Sequence, residues 1–503
     1  MLLEAFLETA ARRAEKPAVE DVRRTMTYRE LMVASAAMKR LIDKATVRPN
    51  VGLLLPSTAG FVAGFFGGLW AGRTVVPLNF LLQPDELRAV VEDAGLDLVL
   101  TCEYFEGLVR QLPVRAIVLE RAGLRRRFLA SRFLPVPKVP KTLPDDLAIL
   151  LYTSGTSGAP KGVCLSNRNL CVDARACIEH MRMSPDHRFL GVLPLFHAFG
   201  LTATMVVPML LGATVVYQPR FQPPDVVRAI AEKNISVFMA AASMFSAIGR
   251  VKNASPEHFR NLYLAISGGE PLSPVTHREF LDRFHVNILE GYGLTETSPV
   301  VSANVPWANR PGKVGLPIPG IEVVAKDDDG RPVPVGVQGE ICVRGPIVMR
   351  GYYNRREETA AAFDADGFLR TGDLGTIDPD GFLAITGRKK DLIIVAGENV
   401  FPREIELVLD RHPAVAQSAV IGVRDPVRGE VVVGFVIPKD GLEVTPLELR
   451  AYCRNHLAGF KVPRDIIIDH DLPRSPTGKV AKRLLRDMLA ERHGQTKPSG
   501  RPY

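Results

Sequence analysis

Short apolar runs alternate with longer amphipathic runs, and this alternation limits how the chain folds. Within residues 28–289, strand-like runs such as TVVP and LVLT are followed by helical patterns such as LQPDELRAVVEDAG. Strands that alternate with helices form parallel sheets covered by helices. From about residue 318, shorter runs separated by Gly, Pro and Asp predict antiparallel hairpins or a small barrel. We therefore predict an α/β fold: a large N-terminal domain of parallel-rich sheets flanked by helices, with a small β-barrel-like subdomain.

The chain of 503 residues is longer than one hydrophobic core usually organises. After Gly387, the charged turn RKKD leads into a region where strands and helices alternate again, which predicts a separate, small α+β domain. The expected boundaries are an N-terminal domain over residues 1–387, a hinge over 388–391, a C-terminal cap domain over 392–492 and a disordered tail over 493–503.

Two uncharged stretches, residues 51–72 and 190–217, are long enough to span a bilayer. The first is interrupted at Pro56, after which Ser57 or Thr58 would cap a helix, and the second contains two prolines. Buried strand-to-helix units explain both stretches better than membrane spans. We expect no secretory signal, and six cysteines without a CxxC pair predict reduced thiols in the cytoplasm.

The chain carries 63 Lys and Arg against 55 Asp and Glu, a formal net charge of +8. This surplus suits anionic ligands, but it predicts no nucleic-acid partner because such binders concentrate cations on one face. Residues 121–141 are the exception, with five arginines, two lysines and no acid, interleaved with Leu and Phe. This segment is either a peripheral contact with an anionic membrane or a solvated basic linker.

A Gly- and Ser-rich loop follows an apolar strand in LLYTSGTSGAPKGV, residues 150–163. Such a loop can surround phosphate oxygens, because glycine lets the main chain approach closely and successive N–H groups form an anion nest. It is neither a GxxxxGK[ST] P-loop nor a GxSxG nucleophile elbow. The candidate phosphate-binding residues are Thr153, Ser154, Gly155, Thr156, Ser157, Gly158 and Lys161.

This loop resembles the phosphate loop of the adenylate-forming (AMP-binding) superfamily, which includes acyl-CoA synthetases, firefly-type luciferases and nonribosomal adenylation domains. The resemblance continues in order through YGLTET, TGD, GRKKDLIIVAGENVFPREIE and LPRSPTGK. It implies a two-step ligase in which a carboxylate attacks the α-phosphate of ATP, pyrophosphate leaves, and a thiol then attacks the acyl-adenylate. ATP, Mg²⁺ and CoA are the implied cofactors, and the small domain is expected to move between the two steps.

The resemblance assigns the reacting groups to residues suited to them. Lys479 resembles the catalytic lysine that bridges the acyl carboxylate and the α-phosphate. Glu296 resembles the ligand of Mg²⁺, a cation that prefers oxygen donors, and Thr153 would share that metal site. The loop hydroxyls and Lys161 would steady the β- and γ-phosphates, since charge must be neutralised on all sides of the transferred group.

Further roles concern the nucleoside and the thiol. Tyr292 would stack on adenine beside the backbone edge of Gly268, Gly269 and Glu270, and Asp373, assisted by Arg388, would bind the ribose hydroxyls. Alternatively, Tyr292 or Gly269 only packs, and Arg388 pairs with Asp391. Lys390 falls at the hinge, and Gly397 would let the pantetheine arm pass. The expected nucleotide- and CoA-binding set beyond the loop is Gly269, Glu270, Tyr292, Gly293, Thr295, Asp373, Arg388, Lys390 and Gly397.

His197, in LPLFHAFG, occupies the place where related enzymes carry an aromatic residue or a histidine near the acyl carboxylate, so we expect a catalytic role; the alternative is a hydrogen-bonded histidine in a turn. The residues expected nearby are apolar or glycine and include no Asp or Lys for an amino acid's ammonium; they are Phe196, Phe199, Gly200, Met205, Ala241, Ala242, Met244 and Phe245. A medium- or long-chain fatty acid suits such a wall, because each buried CH₂ contributes about 0.8 kcal/mol.

Four functions follow: a fatty acyl-CoA ligase; an acyl-AMP ligase or acyl-carrier-protein loading enzyme; an aromatic-acid CoA ligase; or a non-catalytic protein that keeps the fold. The presence of Lys479, Glu296 and Asp373 argues against the last. Ala396 stands where luciferase-like members carry a lysine for the second step, which leaves the thiol acceptor open. Chain length and oligomeric state are also open.

Overall fold

The computed structural model describes the chain except for residues 124–127, 129–130, 132–133, 155–159, 396–397, 426–428, 440, 475–479 and 493–503. Within the described residues, strands form four sheets, numbered here along the chain. The first sheet runs in the spatial order β15 (Leu316–Pro317), β14 (Val300–Ala303), β13 (Leu289–Gly293), β12 (Leu264–Ser267), β11 (Val237–Ala240), β9 (Arg188–Gly191), β10 (Thr214–Tyr217), β1 (Pro17–Glu20) and β2 (Thr25–Thr27).

The second sheet also belongs to the large N-terminal body. Its order is β18 (Gly351–Tyr352), β8 (Pro160–Ser166), β7 (Leu147–Ser154), β4 (Thr74–Pro77), β3 (Asn50–Leu54), β5 (Leu98–Thr101) and β6 (Arg115–Val118). Strands β13 to β1 of the first sheet and β7 to β6 of the second are parallel, whereas the strands at the ends of the first sheet and β8 and β18 of the second are antiparallel. The predicted parallel-rich α/β body is confirmed.

Helices cover these sheets, and those after β3, after β4 and after β10 lie where the apolar periodicity predicts them. In the N-terminal body they are α1 (Leu2–Arg12), α2 (Tyr28–Ala45), α3 (Ala59–Trp70), α4 (Pro84–Asp93), α5 (Glu106–Val109), α6 (Asn167–His180), α7 (Ala198–Leu201), α8 (Val207–Leu211), α9 (Pro223–Glu232), α10 (Ala242–Gly249), α11 (Pro256–Phe259), α12 (Pro274–Phe284) and α13 (Arg356–Ala362).

The two uncharged stretches fold as strand-to-helix units. Residues 51–72 contain most of β3 and all of α3, which is buried along nearly its whole length, and residues 190–217 contain α7, α8 and β10. The predicted cap of α3 by Ser57 or Thr58 is wrong: the Ala59 N–H donates to Asp21 Oδ2 at 3.0 Å, and the Thr58 hydroxyl donates to the Pro56 carbonyl. Among the described residues, no helix is long and apolar enough to cross a membrane.

The region that follows β15 is antiparallel, as predicted. Its four strands are ordered β16 (Glu322–Lys326), β17 (Gly339–Arg344), β19 (Leu369–Ile377) and β20 (Leu383–Arg388). Buried Ile341, Val343 and Leu383 pack with Val301 of β14, so this sheet is attached to the body through an apolar cluster. That attachment sets Asp373 of β19 next to β13.

The C-terminal region forms the fourth sheet, in the order β22 (Glu398–Val400), β21 (Ile393–Val395), β24 (Gly429–Pro438) and β23 (Val415–Asp425), with β25 (Asp465–Ile468) beside β24. One apolar cluster joins the sheet to α14 (Pro402–Asp410) and α15 (Pro446–His456). A second cluster joins it to Leu485 and Leu489 of α16 (Lys482–Arg492). This is the small α+β fold predicted for the C-terminal part of the chain.

Candidate active site

The Gly- and Ser-rich loop connects the antiparallel strands β7 and β8. Thr153 pairs with Lys161 across this ladder, and the Ser154 backbone pairs with Pro160. Gly155, Thr156, Ser157 and Gly158 lie outside the described residues, as does the side chain of Ser154. Thr153 and Lys161 therefore sit opposite each other at the base of the loop.

Tyr352 connects the loop to Glu296. The Lys161 ammonium lies 5.4 Å from the centroid of the Tyr352 ring, and the Tyr352 hydroxyl donates to Glu296 Oε1 at 3.0 Å. Pairing of β18 with β8 sets Tyr352 opposite Val163 and so brings it to the loop. Burial, and then the charge of Glu296, raise the pKa of Tyr352, which keeps its hydroxyl a proton donor. A cation, an aromatic ring and a carboxylate thus form one connected group.

The segment that carries Glu296 is a short turn between β13 and β14. Thr295 and Glu296 lie in a 3₁₀ turn, and the Leu294 N–H donates to the Pro299 carbonyl at 3.0 Å. A Cβ on Gly293 would overlap the Pro299 carbonyl, so only glycine permits this crossing. Glu296 is also held through its backbone, because its carbonyl accepts from the Met349 N–H at 2.8 Å.

Asp373 is the centre of a second polar group. It is 4% exposed; its Oδ2 accepts from the Tyr292 hydroxyl at 2.7 Å, and its Oδ1 accepts from Arg388 Nε at 3.1 Å. The antiparallel pairing of β19 with β20 sets Asp373 directly opposite Arg388. Burial, and then the nearby Asp373 charge, raise the pKa of Tyr292 well above its ordinary value. Arg388 thus pairs with Asp373 in this structure, whereas Asp391 lies 3.9 Å from Arg486.

Gly268 and Gly269 follow β12, where the resemblance implies a backbone edge beside adenine. Gly269 has φ +82° and open space where a side chain would stand, and a Cβ on Gly268 would lie 3.1 Å from the Phe199 ring. Glu270 Oε1 accepts from the Ser243 N–H at 2.6 Å, at the start of α10. The Glu270 carboxylate therefore stabilises a helix N-terminus, and its backbone belongs to the edge.

His197 directly precedes α7 and is half-buried. Its ring centroid lies 4.6 Å from that of Phe196, and its carbonyl accepts from the Leu201 N–H at 2.8 Å. Aromatic contacts continue from Phe196 to Phe80 and from Phe80 to Phe105. Of the apolar residues expected near it, Phe245 instead packs against Phe238 and Phe280 in a separate apolar cluster.

The predicted hinge contains a 3₁₀ turn, Lys389–Asp391, between β20 and β21. Lys389 Nζ lies 2.8 Å from Asp328 and 3.4 Å from Glu340, whereas Lys390 is exposed. Ala396, Gly397 and Lys479 lie outside the described residues.

Two polar residues of α6, Asn169 and Asp173, also position parts of the site, although no sequence motif marks them. Asn169 Nδ2 donates to the carbonyls of Pro346 and Val348, and Asp173 Oδ1 accepts from the Val300 N–H at 3.2 Å. Asn169 and Asp173 are one helical turn apart, so a single face of α6 holds both the segment before Tyr352 and the strand after Glu296. The only sign of them in the sequence is a pair of polar residues four positions apart, on a helix face that also carries Leu170 and Cys177.

The donor set fits a magnesium nucleotide. Within the described part of the chain, no three His, Cys, Asp or Glu side chains cluster as a metal site. Mg²⁺ bound with phosphates needs only one or two protein carboxylates besides water, so Glu296 fits the role that the resemblance implies for it. The cationic Lys161 suits phosphate oxygens, and the buried Asp373 suits paired hydroxyls.

The comparisons with known proteins agree on one family. Residues 6–353 match the AMP-binding enzyme model, and residues 404–479 match the AMP-binding enzyme C-terminal domain. A long-chain-fatty-acid–CoA ligase of Yersinia pestis is 34% identical, with 97% of this chain and 94% of that protein covered. A feruloyl-CoA synthase of an Amycolatopsis species is also 34% identical, with 92% and 93% covered.

Comparison with solved structures gives the same family at the level of the fold. ATP-bound MatB of Rhodopseudomonas palustris matches with a TM-score of 0.91 at 29% identity, covering 98% of this chain and 100% of that one. The apo form of MatB matches with a TM-score of 0.81, so the arrangement described here is more similar to the ATP-bound form. Over nearly its whole length, the chain belongs to the adenylate-forming AMP-binding enzyme family.

Proposed function

We propose that the chain is an AMP-forming acid–thiol ligase that converts a medium- or long-chain fatty acid to its acyl-CoA, using ATP, Mg²⁺ and CoA. The observation that carries this proposal is the pair of connected groups described above, within a chain that matches the family over nearly its full length. Lys161, Tyr352 and Glu296 form a site for phosphates, and Asp373, Tyr292 and Arg388 form a site for a nucleoside.

In the first step, an oxygen of the fatty acid carboxylate attacks the α-phosphorus of ATP, and the bond to pyrophosphate breaks. Asp373 binds the ribose hydroxyls, the Tyr292 ring stacks on adenine, and Lys161 with the loop hydroxyls holds the β- and γ-phosphates. Glu296 and Thr153 would hold Mg²⁺, which supplies charge neutralisation when bound. Lys479 bridges the carboxylate and the α-phosphate, and His197 lies near the acyl carboxylate.

In the second step, the thiol sulfur attacks the acyl carbon, AMP leaves as the C–O bond breaks, and the thiol proton is released to solvent. Rotation of the C-terminal domain about residues 388–391 would present Gly397 to the pantetheine arm, with residues 1–387 as the fixed body and 392–492 as the cap. Lys390 is exposed and lies in a short turn between two strands, which supports residues 388–391 as the hinge. Hinges of this kind absorb large changes in backbone dihedrals.

Two alternatives for the substrate and acceptor are kept because specific observations favour them. The feruloyl-CoA synthase relative favours an aromatic acid. Ala396 in place of the luciferase-type lysine favours an acyl-AMP ligase or an enzyme that loads a carrier protein acting in trans. The fatty acid is preferred because the residues around His197 are apolar and the Yersinia pestis relative is a long-chain-fatty-acid–CoA ligase.

The test is a panel of fatty and aromatic acids incubated with ATP and Mg²⁺, with and without CoA, in which pyrophosphate, AMP and thioester are quantified. Acyl-CoA from fatty acids of medium or long chain supports the proposal. Pyrophosphate without any thioester would favour the adenylate or carrier-protein function, and turnover of aromatic acids alone would favour the aromatic-acid ligase.

The six cysteines are buried and free, which supports a reducing compartment such as the cytoplasm.

A further inference from the structure

Residues 134–143, LPVPKVPKTL, form an exposed strip that the catalytic proposal does not use; we call it the proline strip. It has no regular secondary structure, and four of its large apolar side chains are exposed: Leu134 at 48%, Val136 at 66%, Val139 at 38% and Leu143 at 69%. Isolated exposed apolar side chains are common, whereas several in one short segment mark an interaction surface.

Side chains of the body hold the strip by its backbone. Arg40 Nη2 donates to the Pro135 carbonyl at 2.8 Å, and Trp70 Nε1 donates to the Lys138 carbonyl at 3.3 Å. Trp70 is 1% exposed, so the second donor comes from the end of a buried helix. Two carbonyls of the strip are therefore bonded to the body, while its valines and leucines stay exposed. The exposure is thus a property of an anchored segment.

The strip is also cationic. Lys138 and Lys141 are exposed within it, and residues 121–141 contain seven cations and no acid. The two acids that follow the strip already have partners: Asp145 pairs with Arg168 at 2.9 Å, and Asp146 accepts from the Leu143 N–H at 2.7 Å. Lys138 and Lys141 thus place two exposed positive charges among the apolar side chains, which favours anionic partners.

Val47 extends this surface from a neighbouring turn. It is 87% exposed, and its carbonyl accepts from Arg73 Nη1 at 3.3 Å. Arg73 follows Gly72, where an added Cβ would contact Pro140 of the strip. Val47 and the proline strip therefore adjoin the same turn.

We propose that the proline strip, with Val47, docks the chain on an anionic phospholipid bilayer. Valine and leucine side chains enter the boundary between headgroups and acyl chains, while Lys138 and Lys141 remain among the anionic headgroups. A bilayer is favoured over a protein partner because apolar and cationic side chains alternate along one anchored segment without an acid. Docking would bring the chain to its substrate, because long-chain fatty acids partition into bilayers; this benefit rests on the proposed function.

The experiment is flotation of the full-length chain with vesicles of phosphatidylcholine alone or mixed with phosphatidylglycerol, without ATP or fatty acid. We expect binding to the anionic vesicles only, weakened by salt. Lys138→Gln with Lys141→Gln should weaken binding about 25-fold at low salt, since each lysine near the surface contributes about fivefold. Val136→Asp with Leu143→Asp should weaken it at least about tenfold.

The matched control is Val335→Asp with Val337→Asp, two exposed valines on a turn between β16 and β17, which should bind vesicles as the parent chain does. Absence of binding by the parent chain, or unchanged binding by both strip variants, would overturn the proposal. So would a parent dimer that Val136→Asp with Leu143→Asp dissociates while no vesicle binding is seen, since the strip would then join two copies. Thioester formation from a water-soluble short-chain acid, measured in parallel, reports the proposed function separately.

Discussion

The Tyr352 hydroxyl donates to Glu296 Oε1 at 3.0 Å, and the same tyrosine ring lies beneath the Lys161 ammonium. Tyr352→Phe should therefore release Glu296 and raise the Mg²⁺ concentration needed for half-maximal adenylation. Hydrogen bonds to charged groups contribute about 1.5–3 kcal/mol, which corresponds to a fall of at least about tenfold in kcat/KM for ATP. Pyrophosphate release over a range of Mg²⁺ and ATP concentrations would measure both effects, and calorimetric ATP titrations at several Mg²⁺ concentrations would measure the change in binding.

Tyr353→Phe is the matched control, because the neighbouring hydroxyl instead accepts from Asn50 Nδ2 at 3.3 Å. A Tyr352→Phe chain that binds ATP and Mg²⁺ as tightly as the Tyr353→Phe chain would contradict a positioning role for Tyr352.

Asp373→Asn should weaken binding of ATP and AMP alike, by at least about tenfold, because one carboxylate serves a nucleoside that both ligands share. Asparagine still accepts from the Tyr292 hydroxyl, so the variant should fold normally. Tyr292→Phe should have a smaller effect, since the ring that stacks on adenine remains. Calorimetry with ATP, AMP and pyrophosphate checks this, and pyrophosphate binding should not change. The control is Asp380→Asn, which removes an exposed ion pair with Arg310. If Asp373→Asn binds AMP as tightly as the parent chain does, Asp373 does not bind the ribose.

Lys479→Ala should reduce adenylate formation by at least about 10²-fold, the loss expected when a preorganised charge donor is removed. Thioester formation from supplied acyl-adenylate and CoA should remain close to the parent rate, because the α-phosphate bond is already made. The two half-reactions are followed separately by pyrophosphate release and by thioester formation, with Lys439→Ala as a control in the same domain. Equal losses in both half-reactions would contradict the assigned role.

Asp410 should make the C-terminal domain less stable as the pH rises. Burial raises the pKa of Asp410 to about 6, although Ser418 donates to its Oδ1 at 2.7 Å. The unfolded carboxyl has a pKa of about 3.9, so the native state binds the extra proton between about pH 4 and 6. Above that window the buried charge costs about 3 kcal/mol, and below it the cost disappears.

Asp410→Asn should therefore be more stable than the parent chain at pH 7.5 and nearly equal to it at pH 4, while keeping an acceptor for Ser418. Urea unfolding at both pH values, followed by hydrogen exchange of peptides from α14, would measure the difference. Asp465→Asn, at an exposed side chain, controls for charge. A stability difference that is the same at both pH values would contradict the raised pKa.

The parts of the fold that depend on local periodicity were predictable from the sequence. Runs such as TVVP and LVLT form β4 and β5, and LQPDELRAVVEDAG forms α4. The apolar strand before the Gly- and Ser-rich loop was also predicted, whereas the return of the chain as β8, which makes a hairpin with β7, was not. The family resemblance supplied the proposed roles of Asp373 and Glu296, which periodicity does not reveal.

Contacts between distant segments could not be read in this way. Tyr352 becomes part of the site only because β18 pairs with β8, and nothing in GYYN indicates that pairing. Asp21 caps α3 from a turn after β1, although Ser57 and Thr58 are the better local candidates. The pairing of Arg388 with Asp373 agrees with the resemblance, but local periodicity does not reveal it: the register of β19 and β20 produces it, although Asp391 is closer in sequence.

Asn169 and Asp173 hydrogen-bond to two segments that are distant in sequence, and this has a consequence for recombination between homologues. One face of α6 contacts the strand after Glu296 and the segment before Tyr352, so these three pieces form one structural unit. A chimera with a crossover between α6 and β13 would combine a helix from one parent with backbone segments from the other. Because the partners are backbone groups, the three hydrogen bonds would persist only if that helix keeps both the amide and the carboxylate; a helix without them would leave the segments that carry Glu296 and Tyr352 unsupported.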